Sequence, residues 1–145
     1  MKHPAILATL TALFAARVGA QAVQRWVPLH FLPPFGAFQG SSLPYSLVLP
    51  AQLLILALMC RIAWRTHKCV LQRRPRSRRI LAILGSIYFA TMLARLLVGI
   101  TVPGAPVWFR TPISSVFHLV LATFVLVLAA YHRPIRWRAT GSAAP

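Results

Sequence analysis

Arg17 and Arg95 each interrupt a long apolar stretch. A guanidinium is always charged and offers five donors in a planar fork that matches phosphate or carboxylate. The sequence supplies no such group, with 16 Lys and Arg against no Asp or Glu and a formal net charge of +16. Each cation must therefore meet water, a backbone carbonyl, a lipid phosphate, an anionic ligand or another chain. An arginine at the centre of a membrane helix costs about 2.5 to 3.5 kcal/mol to insert. The cost falls near the boundary, where the long side chain can snorkel to phosphates. Snorkelling is one reading of Arg17 and Arg95. The other is convergence on an anion. Gln21 follows Arg17 by four residues and so shares its helix face. In the topology derived below, Arg25, Arg110, His30 and His118 belong with Arg17 and Arg95 to the outer half of the membrane. The candidate anion-binding set is Arg17, Gln21, Arg95, His118 and Arg110. Its ligand would be a lipid headgroup, a lipid-linked phosphate or an acidic residue of a partner subunit.

Histidines offer a second chemistry. His118 and His132 are 14 residues apart, which leaves them about 40° apart around a helix. Stacked b-type haem sites can use such spacing, with axial ligands from a second helix. The available partners, His30, His67 and His3, all lie outside or at the ends of the apolar stretches, so no second helix carries a matching pair. Haem at His118, His132 and His30 stays a weak alternative. Cys60, His67 and Cys69 could offer three zinc ligands, but without the usual finger spacing.

The missing carboxylates remove other chemistry. Paired-carboxylate glycoside hydrolysis, carboxylate-built Mg²⁺ or Ca²⁺ sites, a Ser-His-Asp triad and Asp/Glu proton relays all need side chains absent here. No phosphate-binding glycine loop or nucleophile elbow is present. The expectation is a protein that is not an enzyme and carries no cofactor.

The elements that position these residues follow from composition. Hydrophobic residues make up 58% and charged residues 11%, whereas soluble domains carry charges at about a quarter of positions. Disorder needs low hydrophobicity. Nucleic-acid binding would explain the basicity but not the apolar runs. A single membrane domain over residues 1–145 explains both. Its spans fall at about 4–23, 45–64, 80–102 and 112–131, each near the ~20 residues that cross a bilayer as a helix. Thr111 before Pro112 reads as a helix N-cap. Pro50 marks a bend in a helix starting near Ser46.

Basic residues set the orientation. Lys2, Arg61, Arg65, Lys68, Arg73, Arg74, Arg76, Arg78, Arg79, Arg133, Arg136 and Arg138 share one side, and only Arg25 and Arg110 sit in the opposite loops. Under the positive-inside rule both termini and the basic loop 65–79 are cytoplasmic. That basic run faces anionic headgroups. The fold expected is all-α, an integral membrane four-helix bundle with N and C termini inside. A cleaved signal peptide ending at Val18-Gly19-Ala20 is the rival for the first segment. It is disfavoured by Arg17 near the cleavage point and by the apolar pattern continuing to Val23.

The outer loop 24–44 is rich in Pro and aromatics and is expected to lie on the membrane surface as turns or a short helix. Ala8, Ala12, Ala16 and Ala20, and likewise Ala82, Ser86, Ala90 and Ala94, form small-residue stripes that could seat another helix. Gln52, Thr91, Ser114, Ser115 and Thr123 are expected to hydrogen-bond between helices. The Arg-over-Lys bias with high Ala and Pro suggests a GC-rich bacterial source, hence an inner membrane.

The functional expectation is a non-enzymatic accessory or scaffold protein. Its partners would be membrane lipids with anionic headgroups or a protein subunit, and not nucleic acid. A small transporter or lipid-handling protein for an anionic substrate is the alternative. That alternative requires a cavity lined by Arg17, Arg95 and His118. A b-type haem electron carrier is the third reading.

Overall fold

The computed structural model describes residues 3–38, 43–71, 74–106 and 108–132. The basic residues Lys2, Arg73, Arg133, Arg136 and Arg138, used above for orientation, lie outside them. Five helices account for most of the described chain: α1 (His3–Trp26), α2 (Phe35–Phe38), α3 (Tyr45–His67), α4 (Pro75–Thr101) and α5 (Pro112–Tyr131). No strand occurs among the described residues. The four long helices have the length and apolarity to cross a membrane. The shortest, α5, has 20 residues and measures about 30 Å, the thickness of a hydrocarbon core. The fold is compatible with a small multi-pass membrane protein.

The helix bounds follow local chemistry. Helix α4 begins at Pro75, so Arg76, Arg78 and Arg79 form its first turns rather than a loop. Pro75 has no N–H to leave unpaired there, and arginine is a good helix former. Helix α3 starts at Tyr45 and runs through Pro50. The loop between α1 and α3 contains the single-turn helix α2, as its composition suggested. Thr111 occupies the N-cap position of α5, but its hydroxyl does not cap the helix. It donates instead to Trp108 O at 3.2 Å.

Packing is sequential rather than closed. Helix α3 lies on α1, α1 on α5, and α5 on α4, while α3 makes no close backbone approach to α4 or α5. The four helices thus form an open row instead of a ring of four mutual neighbours. Helix α1 buries Leu7, Thr11, Phe14, Val18 and Gln21, a stripe at alternating steps of four and three residues. Leu7, Phe14 and Val18 meet Met59 of α3 and Phe124 and Leu128 of α5 in one apolar cluster. The tightest helix pair is α4 on α5. Gly85 lies in this contact, where a Cβ would come 3.0 Å from Leu126 Cδ2 and 3.1 Å from Val125 Cγ1.

Two sequence expectations about packing change here. The small-residue stripes do not seat helices within the chain: Ala8, Ala12, Ala16, Ser86, Ala90 and Ala94 are all exposed. The larger side chains of α1 face the core instead, where Leu7, Phe14 and Val18 pack against Met59, Phe124 and Leu128. Most of the intrahelical hydroxyls also stay local. Thr91, Ser115 and Thr123 donate to the carbonyls of Ile87, Thr111 and Leu119, four residues back on their own chain. Only Gln52 bridges helices as expected, donating to Gln21 Oε1 at 3.1 Å.

At the other end of the row, the α3–α4 connection is tied to the end of α5. Arg74 N donates to His132 Nδ1 at 3.2 Å, and Tyr131 Oη donates to Leu71 O at 3.3 Å.

Candidate functional site

The polar residues of the spans gather at one level. Arg17 and Gln21 lie nine and five residues before the end of α1, and Arg95 six before the end of α4. Gln52 lies seven residues into α3 and His118 six into α5. At 1.5 Å per residue all are within about 14 Å of their helix ends. Those ends are joined by the loops 27–44 and 102–111, so they belong to the same side of the row.

Here the gap between α3 and α4 becomes a cavity of about 410 Å³. Its polar lining comes from Arg17, Gln21, Gln52, Arg95, Ser114 and His118. Its apolar lining includes Phe14, Leu47, Val48, Ile55, Met92 and Leu121. Four of the five residues expected to bind an anion therefore meet in one space. Arg110 does not line it and is exposed in the turn before α5. Gln52 and Ser114 were read from the sequence as interhelical glue only. Their shared depth with Arg17 and His118 was the signal that places them here.

The two arginines differ in how their donors are used. Arg95 is 3% exposed and held through two of its three nitrogens. Its Nε and Nη2 donate to Trp108 O at 3.0 and 2.7 Å, and Nη2 donates to Thr111 Oγ1 at 2.9 Å. The guanidinium also stacks 4.1 Å from the centre of the Trp108 ring. This network explains why Thr111 does not cap α5. Gly99 makes the geometry possible, since a Cβ there would fall 2.0 Å from Phe109 O.

Arg17 is 8% exposed but sparsely held. One Nη2 bond reaches Phe38 O at 2.9 Å, and the group lies 5.8 Å from the Phe117 ring centre. Its Nε is buried without a partner. Beside it, Gln21 Nε2 and Gln52 Oε1 are also buried and unpartnered. Buried polar atoms are normally satisfied, and each unsatisfied one costs about 1 to 3 kcal/mol. Three around one cavity are a concentrated deficit. His118 Nδ1 pairs with Tyr88 Oη at 2.6 Å.

The haem histidines are placed apart. His118 lines the cavity, His132 is buried at the opposite end of α5 against Arg74 N, and His30 is exposed in the loop before α2. No group of three or more His, Cys, Asp or Glu with metal-binding geometry occurs among the described residues.

Compared with known proteins, the chain matches no family model, no curated protein and no solved structure.

Proposed function

We propose that this is a non-enzymatic multi-pass membrane protein that holds an anionic lipid headgroup in the outer half of the bilayer. The observation that carries the reading is the cavity itself. Two buried guanidiniums line it, in a chain with no carboxylate side chain to neutralise either. Removing one member of a buried ion pair is strongly destabilising because it strands the other charge. Arg95 is held by a loop carbonyl and a hydroxyl, whereas Arg17 has one bond and an unpartnered Nε, and an anion from outside would complete it.

The apolar half of the lining favours a lipid over a partner's carboxylate. Leu47, Val48, Ile55, Met92 and Leu121 face the same space as the cations, an arrangement suited to an amphiphile. The gap between α3 and α4 gives such a molecule a lateral route from the bilayer. The same cavity keeps lipid handling or transport of an anionic amphiphile as the second reading. In our reading the termini and the basic α3–α4 connection face the cytoplasm of a bacterial cell, and the site opens towards the exterior leaflet.

The test is gentle extraction followed by native mass spectrometry. The wild-type chain is expected to retain anionic lipid. The Arg17→Leu/Arg95→Leu variant is expected to lose it while keeping its helical circular dichroism. Arg17→Leu alone serves if the Arg95 network proves necessary for folding. Equal lipid retention by wild type and the folded variant would overturn the reading.

A further inference from the structure

The unsatisfied atoms of the cavity describe the headgroup more closely than its charge does. Arg17 Nε and Gln21 Nε2 are donors in need of acceptors, which an anion supplies. Gln52 Oε1 is the opposite: a buried acceptor in need of a donor. A purely accepting anion, such as the non-bridging oxygen pair of a phosphodiester, leaves it unmet. This inventory does not depend on which way the two amides point. The Gln21–Gln52 contact at 3.1 Å uses one donor and one acceptor. Turning both amides over exchanges the roles and still leaves one free amide N–H group and one free carbonyl oxygen.

Composition sharpens the point. The glutamines are 0% and 8% exposed. Two leucines would fill similar space without any unsatisfied atom, and replacing both partners of a buried hydrogen bond by apolar groups can be nearly neutral. The pair is therefore poorly explained as packing and well explained as recognition.

We infer that the ligand's polar end carries both an anion and a hydroxyl donor, as in a lipid with a glycerol-phosphate headgroup, the anion lying toward Arg17 and the hydroxyl toward the Gln21–Gln52 pair. This rests on the anionic-lipid reading above and adds a specificity to it. Phosphate without hydroxyl would satisfy the arginine and leave the glutamine carbonyl dry. A neutral polyol would satisfy the glutamines and leave the charge.

The experiment uses the full chain in detergent with two lipids of equal acyl chains and equal charge: phosphatidylglycerol, which bears hydroxyls, and phosphatidylmethanol, which bears none. Soluble glycerol 3-phosphate is the third probe. Binding is measured by native mass spectrometry titration. The wild type is expected to bind phosphatidylglycerol about two- to twelve-fold more tightly than phosphatidylmethanol, the range of one neutral hydrogen bond. Glycerol 3-phosphate, lacking the chains, is expected to bind far more weakly than either lipid. The Gln21→Leu/Gln52→Leu variant is expected to bind both lipids alike, no more tightly than the wild type binds phosphatidylmethanol. Equal affinities in the wild type would overturn the hydroxyl specificity while leaving anionic-lipid binding intact. So would a preference that survives in the double variant. Failure of both lipids to bind would overturn the underlying reading. Glycerol 3-phosphate binding as tightly as phosphatidylglycerol would show a soluble anion and refute the lipid source. The wild-type comparison decides the matter even if the double variant does not fold.

Discussion

Replacing Arg17 by Met separates the function of that side chain from its structural contribution. In the lipid-free protein the guanidinium makes one charge-assisted bond, to Phe38 O at 2.9 Å, and leaves Nε unpartnered at 8% residue exposure. Such a bond is worth about 1.5 to 3 kcal/mol, and a buried unmet donor costs about 1 to 3 kcal/mol. The two largely offset each other, so Arg17→Met should leave lipid-free stability within about 2 kcal/mol of wild type. Its effect should appear only with ligand. Losing the charge-assisted contact to a headgroup weakens binding by about 10- to 100-fold, the equivalent of about 1.4 to 2.7 kcal/mol. At a lipid concentration 100 times the wild-type dissociation constant, binding stabilises the wild type by about 2.7 kcal/mol. The variant would then gain only about 0.4 to 1.4 kcal/mol. The assay is thermal unfolding in a neutral detergent, with and without phosphatidylglycerol, for both proteins. A variant stabilised by lipid as much as the wild type would refute the assignment of Arg17 as the anion contact. A variant that is several kcal/mol less stable without lipid would show that Arg17 is a structural anchor instead.

Two glycines should respond in opposite ways. At Gly99 an added Cβ meets the Phe109 backbone carbonyl at 2.0 Å, so Gly99→Ala must displace the loop that presents Trp108 O to Arg95. It should cost at least about 1 to 3 kcal/mol in thermal unfolding. At Gly85 the Cβ meets only side-chain atoms, Leu126 Cδ2 at 3.0 Å and Val125 Cγ1 at 3.1 Å, and each must give by a few tenths of an ångström. These side chains can yield, and alanine gains about 1 kcal/mol of helix propensity, so Gly85→Ala should be close to neutral in the same melt. Orientation is checked with Cys69, exposed in the α3–α4 connection at a backbone φ of 55°. A membrane-impermeant maleimide should label it in inverted vesicles and not in intact cells. Labelling in intact cells would reverse the topology.

Much of the fold can be read from the sequence because its apolar runs are as long as membrane-crossing helices. A run of about 20 apolar residues must satisfy its own backbone, and a helix is the simplest way. All four spans therefore appear as helices near their expected positions, and Pro75 and Pro112 mark two helix starts. Helix faces are harder. In water the polar residues mark the outside, but here both sides of a helix are apolar. The alanine stripe of α1 consequently points outward and the Leu7–Phe14–Val18 stripe inward, although neither stands out by hydrophobicity. The site is legible where polarity is rare: Arg17, Gln21, Arg95 and His118 stand out and converge. The sequence does not reveal that Arg95 is anchored by Trp108 O and Thr111 while Arg17 has a single bond and an unpartnered Nε. That difference comes from a loop carbonyl whose position depends on Gly99, a contact between residues ten apart.

The division between the arginines bears on how a ligand would act on the whole protein. The helices fall into two hairpins, α1 with α3 and α4 with α5, joined through the α1–α5 contact. Arg17, Gln21 and Gln52 belong to the first hairpin, and Arg95, Ser114 and His118 to the second. Each helix is secure within a bilayer, where breaking its backbone hydrogen bonds is costly. Packing between helices is not, because lipid tails are as apolar as leucine and no hydrophobic force holds the hairpins together. An anion between Arg17 and Arg95 would draw on cations from both hairpins at once. It would replace a mutual repulsion with two attractions across the open side of the row, where α3 and α4 make no close approach. Lipid binding in this protein would thus act on the relation between hairpins and leave helix content unchanged. Loss of the ligand should accordingly be visible in tertiary packing well before it is visible in secondary structure.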